Sequence, residues 1–378
     1  MGSKAGRAAL VLTGGGARAA YQVGVLSAIR EIRGRQPGNP FPILCGTSAG
    51  GINAVALAVH STNFNHAVRH LARIWRNFHV GRVYRVDPVA LFGSGLRWGA
   101  AAFTGWLVHQ TPRSLLDNAP LRELLTRVLD YPAIDLAINA GYLRAISVTA
   151  SGYSSGESLS FFEGSLDIEP WHRAHRMGVR ARLGVDHLMA TSALPLVFPA
   201  VRINREFFGD GSMRQLAPVS PAIHLGADRI LVIGAGRLAE EGRQRAGAYP
   251  SPAQIAGHAL SSIFLDTLAV DLERLERINQ IIGCLSGEQR DAAAGGLRRI
   301  ETLVILPSRR IDTIAAQYRQ EIPPLLAAVL RGIGAMRRDG STLLSYLLFE
   351  PGFVRALMDL GYGDAMARRD EIAAFLAL

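Results

Sequence analysis

The chain has 378 residues, 49% hydrophobic and 19% charged, a balance that excludes a disordered polar chain and suffices for one large core or two smaller ones. With 41 Lys and Arg against 31 Asp and Glu, the formal charge of +10 favours anionic partners such as phospholipid surfaces or nucleic acid without choosing between them. Two cysteines, Cys45 and Cys284, exclude a disulfide framework and a cysteine-built zinc cluster. Met1 to Arg7 is a short polar lead with no room for a secretory apolar region, and the uncharged run Ile43 to Val59 falls short of about 18–20 spanning residues. The expectation is a cytoplasmic protein, peripheral to a membrane at most, with neither signal peptide nor transmembrane helix.

Ala8 to Thr13 reads as a strand, and after Gly14-Gly15-Gly16 the residues Tyr21, Val25, Leu26, Ile29 and Ile32 recur at helical spacing. Phe41 to Cys45 repeats the strand pattern, and Gly51 to His60 continues as a second helix. This order predicts an α/β fold with a mainly parallel central sheet covered by helices on both faces. Both glycine turns then lie at the carboxyl edge of adjacent strands, where such sheets bind ligands. Asn65 to Phe78 is a basic helix carrying Arg69, Arg73 and Arg76, with Val68, Leu71, Ile74 and Trp75 on its other face. Val89 to Val108, rich in Gly, Ala and aromatic residues, is the candidate lid or interfacial segment, and a buried helix pair is the plainer reading.

Ala119 to Leu129 and Asp186 to Ser192 are expected helices, Leu143 to Thr149 and Ser158 to Phe162 expected strands, and Val201 to Phe208 an expected hairpin. Arg229 to Ile233 and Thr302 to Leu306 supply two more strands. The expected division is a catalytic core over 1–237, a mobile loop and helix start over 238–262, and a mostly helical extension over 263–378 with one strand near 302–306. In that extension, Phe264, Leu268, Leu272, Leu275, Ile278 and Ile282 form one apolar stripe facing the core or another subunit, so a homo-oligomer is an open expectation.

Gly46-x-Ser48-x-Gly50 follows an apolar strand and precedes a helix, the setting of a nucleophile elbow, with Gly46 and Gly50 permitting the sharp turn. The first glycine run has a rival reading, because Gly14-x-Gly16-x-x-Ala19 satisfies a dinucleotide-binding fingerprint. That reading also needs an acid at the end of the second strand, where the chain has Cys45-Gly46-Thr47-Ser48 instead. What remains is an anion site of backbone N–H groups at a helix start, suited to an oxyanion. Ser48 follows only the second strand, earlier than in common α/β-hydrolases, so its base must come from later in the chain. Asp210, between Gly209 and Gly211 at the end of a strand, is the leading candidate, against the plainer reading of an Asp-Gly turn. A Ser–His–Asp arrangement using His187, His224 or His258 is formally open. No catalytic metal is expected, since the histidines lack partner ligands at useful spacing.

Together Gly14-Gly15-Gly16-Ala17-Arg18, Gly46-Thr47-Ser48-Ala49-Gly50, Asp210-Gly211 and the run Ala190 to Pro199 resemble the patatin-like phospholipase family over roughly the first 235 residues. The resemblance implies a three-layer α/β/α fold and a Ser–Asp dyad without cofactor. Ser48 would be the nucleophile, Asp210 the base and Gly14, Gly15 and Gly16 the oxyanion loop, while Arg18 would support that loop or meet a phosphate. Ala19 and Ser212 depart from the family's usual glycines, which bears on rate and substrate range more than on reaction type. The implied substrate is a phospholipid or other fatty-acyl ester at a membrane surface. A non-catalytic lipid- or anion-binding protein on the same scaffold is the alternative. Nucleic acid is not expected as a partner, for the basic runs carry no recognition motif.

Overall fold

Short, wholly buried apolar runs make the central strands, and glycine turns lead them into helices. The computed structural model describes residues 7–85, 114, 116–236, 249–286, 298–337 and 340–377. The expected lid segment 89–108 and residues 238–248 of the expected loop lie outside these. The chain begins β1 (Ala8–Leu12), α1 (Ala20–Arg33), β2 (Ile43–Thr47), α2 (Ala49–Ala58) and α3 (Phe64–Arg76), the expected alternation. After α4 (Ala119–Val128) and α5 (Pro132–Asn139) come β3 (Ala145–Gly152), β4 (Ser158–Gly164), β5 (Trp171–Arg173), β6 (Arg176–Arg180) and α6 (Val185–Thr191). The hairpin β7 (Val201–Ile203) and β8 (Glu206–Asp210) leads to α7 (Ser220–His224) and β9 (Arg229–Ile233). The remainder is α8 (Pro252–Ser261), α9 (Thr267–Cys284), β10 (Glu301–Ile305), α10 (Ile311–Gln317), α11 (Pro324–Gly332), α12 (Ser341–Leu347), α13 (Pro351–Ala367) and α14 (Arg369–Leu376).

The sheet runs β10-β9-β1-β2-β3-β4-β6-β5, with β8 pairing both β3 and β7. Its first five strands are parallel, and the antiparallel pairs β3/β4, β3/β8, β5/β6 and β7/β8 lie beyond β2. Successive β1 residues face opposite layers. Leu10 and Leu12 join a core with α1, α2, α3 and the C-terminal helices, while Ala9 and Val11 join a second core with α7 and α9. This is the expected α/β/α layering with a mostly helical C-terminal region.

The C-terminal helices sit directly on the first layer. A Cβ built on Gly24 of α1 would strike the Met358 carbonyl, and one on Gly361 of α13 would strike the Tyr21 carbonyl, so α1 and α13 approach backbone to backbone. α3 starts where the Asn63 side chain accepts the His66 N–H at 2.9 Å. A π-turn at Ser262–Asp266 fuses α8 to α9 into Pro252–Cys284, the one described helix long and apolar enough to cross a membrane by length and composition. Of its stripe, Phe264, Leu268, Leu275 and Ile282 are buried. Asp271, which is not part of that stripe, is buried too, and its carboxylate accepts the Val219 N–H at 3.0 Å.

Candidate active site

β1 and β2 are parallel neighbours, with Leu12 opposite Gly46, so the loop after one strand and the elbow after the other meet at a single sheet edge. The spacing of the elbow glycines has a steric cause. A Cβ on Gly46 would strike the Gly50 carbonyl, and one on Gly50 would strike the carbonyls of Leu12 and Thr13. Between them Ser48 adopts φ 55° and ψ −133°, a backbone conformation that costs a non-glycine residue about 1–3 kcal/mol. Its N–H donates to Thr191 Oγ1 at 2.8 Å, and Thr191 in turn donates to the Thr149 carbonyl on β3.

Ser48 Oγ donates to Asp210 Oδ2 at 2.6 Å. Asp210 ends β8, which pairs with the carboxyl end of β3 opposite Ala150, and its N–H is held by the Ala193 carbonyl. Oδ1 accepts the Ser212 N–H at 2.9 Å. The flanking glycines are again steric, since a Cβ on Gly211 would strike the Thr149 carbonyl. Asp210 is fully buried, and burial pushes its carboxyl from 3.8 up to about 6, opposed by the hydrogen bonds from Ser48 and Ser212.

The N–H groups of Gly14, Gly15 and Gly16 meet no protein acceptor among the described residues. Gly16 needs φ +54°, and a Cβ there would strike the Tyr346 carbonyl. Behind the loop a buried polar chain fixes its height. Trp75 Nε1 donates to Asn53 Oδ1 at 2.8 Å, Asn53 Nδ2 donates to Gln22 Oε1 at 3.0 Å, and Gln22 Nε2 donates to the Thr13 carbonyl at 2.8 Å. Asn53 also reaches the Ala19 carbonyl at 3.3 Å. Ala19 has φ −64°, which alanine adopts without strain, so a glycine is not required there.

A family model for patatin-like phospholipases matches residues 10–223, more than half of the chain. The chain belongs to the patatin-like phospholipase family. The cGAMP-activated phospholipase of Pseudomonas aeruginosa is 30% identical over 224 residues, covering 57% of this chain and 55% of that protein, so the chain spans about half its length. VipD from Legionella pneumophila aligns over 97% of this chain and 67% of its own, at 13% identity and a TM-score of 0.38, too low to carry an argument. Membership of the family supports lipid ester hydrolysis in general.

In this patatin-like chain Arg18 is buried against the C-terminal helices. Its guanidinium donates to Ser345 Oγ at 2.7 Å and lies 3.9 Å from the centre of the Tyr346 ring. Arg18 therefore ties the glycine loop to α12. Ser48 and Gly16 open onto an apolar cleft whose walls include Ile74 and Trp75 of α3, Leu121 and Leu125 of α4, and Leu347 and Phe349. The cleft holds about 60 Å³ of free volume, room for about two waters.

None of the described histidines hydrogen-bonds Ser48 or Asp210. His187 closes its own helix start, with Nδ1 accepting the Gly184 N–H, and packs edge-on against Phe161. His224 stacks on Trp171, and burial beside Arg173, Arg176 and Arg298 lowers it to about 4. His258 lies in α8, within an exposed face. Among the described residues no group of His, Cys, Asp and Glu has the geometry to hold a metal ion.

Proposed function

We propose that this patatin-like chain hydrolyses fatty-acyl esters of phospholipids or related lipids through an acyl-serine intermediate on Ser48. The observation that carries this reading is the 2.6 Å hydrogen bond from Ser48 Oγ to a fully buried Asp210 carboxylate. Ser48 Oγ attacks the ester carbonyl while its proton passes to Asp210, and the unpartnered N–H groups of the Gly14–Gly16 loop receive the oxyanion. Asp210 returns the proton to the leaving alcohol. It then takes a proton from water as the hydroxide adds to the acyl carbonyl, and gives that proton to Ser48 Oγ as the acyl–oxygen bond breaks, releasing the fatty acid and restoring both side chains. Burial serves this cycle, since a carboxyl that titrates near 6 is a better proton acceptor than one at 3.8 and is still ionised at neutral pH.

The acyl chain lies along the apolar cleft. Its free volume of about 60 Å³ is far below the 300–1,000 Å³ typical of ligand pockets, so the α3 and α4 walls part on binding. Residues 1–237 form the catalytic core in this proposal, and 263–378 a helical extension that completes it. Support comes from Tyr346, Leu347 and Phe349 on the cleft wall and from the Arg18 bond to Ser345. The net charge of +10 favours peripheral attachment to an anionic membrane.

Hydrolysis of a fluorogenic phospholipid by the purified protein tests this, with Ser48→Ala as the control. Loss of turnover in the variant supports the reading. Undiminished turnover refutes Ser48 as nucleophile, and vesicle binding without any turnover by the parent chain favours the non-catalytic lipid-binding alternative.

A further inference from the structure

Away from the cleft, unpaired positive charge gathers in one basin between α1, α3 and α13. Arg69, Arg73 and Arg76 line it from the exposed face of α3, Arg30 from α1 and Arg355 from α13, with Asn77 and Asp359 completing the wall. The basin is open and holds about 660 Å³. Among the described residues none of these five guanidinium groups pairs with a carboxylate. Elsewhere arginines take acidic partners, as in Arg122 with Asp186, Arg144 with Asp167, Arg229 with Glu301 and Arg368 with Glu371. Like charges three and four residues apart on a helix oppose its stability, so this clustering is not explained by the fold.

The platform beneath the basin is stiff. α3 buries Val68, Leu71 and Trp75 on its other face, and α1 and α13 touch backbone to backbone at Gly24 and Gly361. Guanidinium forks held on rigid helices suit the oxygens of a phosphate, which they bind in pairs, and one carboxylate, Asp359, offsets only one of the five charges. Arg73 and Arg76 bracket Ile74 and Trp75, which line the acyl cleft, so a ligand held here grips the helix that walls the candidate active site.

We propose that this arginine basin is a binding site for a phosphate-bearing anion, supplied either free in solution or as the headgroup of an anionic phospholipid. Arg69, Arg73 and Arg76 make the principal contacts, and Arg30 and Arg355 close on the ligand from the facing helices. The proposal does not depend on the hydrolytic reading.

The test uses the full chain at about 0.15 M salt, where charges more than about 8 Å apart are largely screened. One arm titrates inorganic pyrophosphate by calorimetry. The other sediments the protein with phosphatidylcholine vesicles, with and without phosphatidylglycerol. The basin variant Arg69→Ala/Arg73→Ala/Arg76→Ala is compared with Arg202→Ala/Arg205→Ala/Arg319→Ala, which removes equal charge from exposed positions elsewhere. The expected result is binding by the parent chain in at least one arm, weakened about tenfold or more in the basin variant and little changed in the other. Pyrophosphate binding identifies a soluble source, and phosphatidylglycerol-dependent sedimentation a headgroup. Absence of binding in both arms, or equal loss in both variants, overturns the proposal. Should the basin variant melt early, the charge-reversing Arg73→Glu variant is read in its place by the same criteria.

Discussion

Replacing Asp210 with asparagine separates the chemistry of the carboxylate from its cost to the fold. The amide keeps the shape, its Oδ1 can still accept the Ser212 N–H, and its Nδ2 can donate to Ser48 Oγ. A carboxyl raised from 3.8 to about 6 by burial means that ionising it in the native state costs about 3 kcal/mol more than in the unfolded chain. The native state then binds the proton more tightly, so Asp210 lowers parent-chain stability progressively as pH rises from about 4 to about 6, and fully above that. The amide does not titrate. Asp210→Asn should match the parent below about pH 4 and exceed it by about 3 kcal/mol above about pH 6. Glu163, Asp271 and Glu350 are also raised by burial, and they cancel because both proteins carry them. Urea unfolding across this range reads the difference. In parallel, ester hydrolysis by the parent should rise through an apparent pKa near 6, while the variant shows no such rise and runs about 10²–10⁴-fold slower than the parent above it. A variant no more stable than the parent at neutral pH would rule out the burial cost of Asp210, and one that turns over as fast as the parent would rule out its role as base.

Three further substitutions probe the supports of the site. Trp75→Phe leaves Asn53 Oδ1 buried without its donor, so melting should show a loss of about 1–3 kcal/mol and hydrolysis should fall through the displaced glycine loop. Thr191→Val removes the acceptor of the Ser48 N–H and the donor to Thr149; kcat should fall about tenfold or more with KM little changed, as for a residue that holds the elbow rather than the substrate. Gly16→Ala places a Cβ against the Tyr346 carbonyl at φ +54°, and unfolding should show a cost of about 1–3 kcal/mol with loss of ester turnover.

The parts of the site that could be read from the sequence are those written locally. A glycine loop and an elbow each need only a strand, a tight turn and a helix, so Gly14–Gly16 and Gly46–Gly50 stand out in a window of a few residues. Asp210 could be singled out by its flanking glycines, but only the β3–β8 pairing brings it beside Ser48 from 162 residues away. Gln22 and Asn53 carry no local signal, and the signals at Thr191 and Trp75, a family run and an apolar helix face, do not reveal their hydrogen bonds. Each is an ordinary helix residue whose importance lies in partners on other elements, such as Trp75 with Asn53 and Asn53 with Gln22. Of the antiparallel end of the sheet only β5 and β6 are equally hidden, since β5 has three residues and both strands are half exposed, too short and too polar to show a strand period. Tyr346, Leu347 and Phe349 read only as part of the mostly helical extension, although they wall the cleft.

Covalent capture reads out whether Ser48 is a nucleophile activated by Asp210. A fluorophosphonate probe should add to the purified chain once, with the adduct mapped by mass spectrometry to the peptide containing Ser48. Labelling should be absent in Ser48→Ala and strongly slowed in Asp210→Asn. Labelling that persists in Ser48→Ala, or no adduct on the folded parent chain, would mean that Ser48 is not the nucleophile.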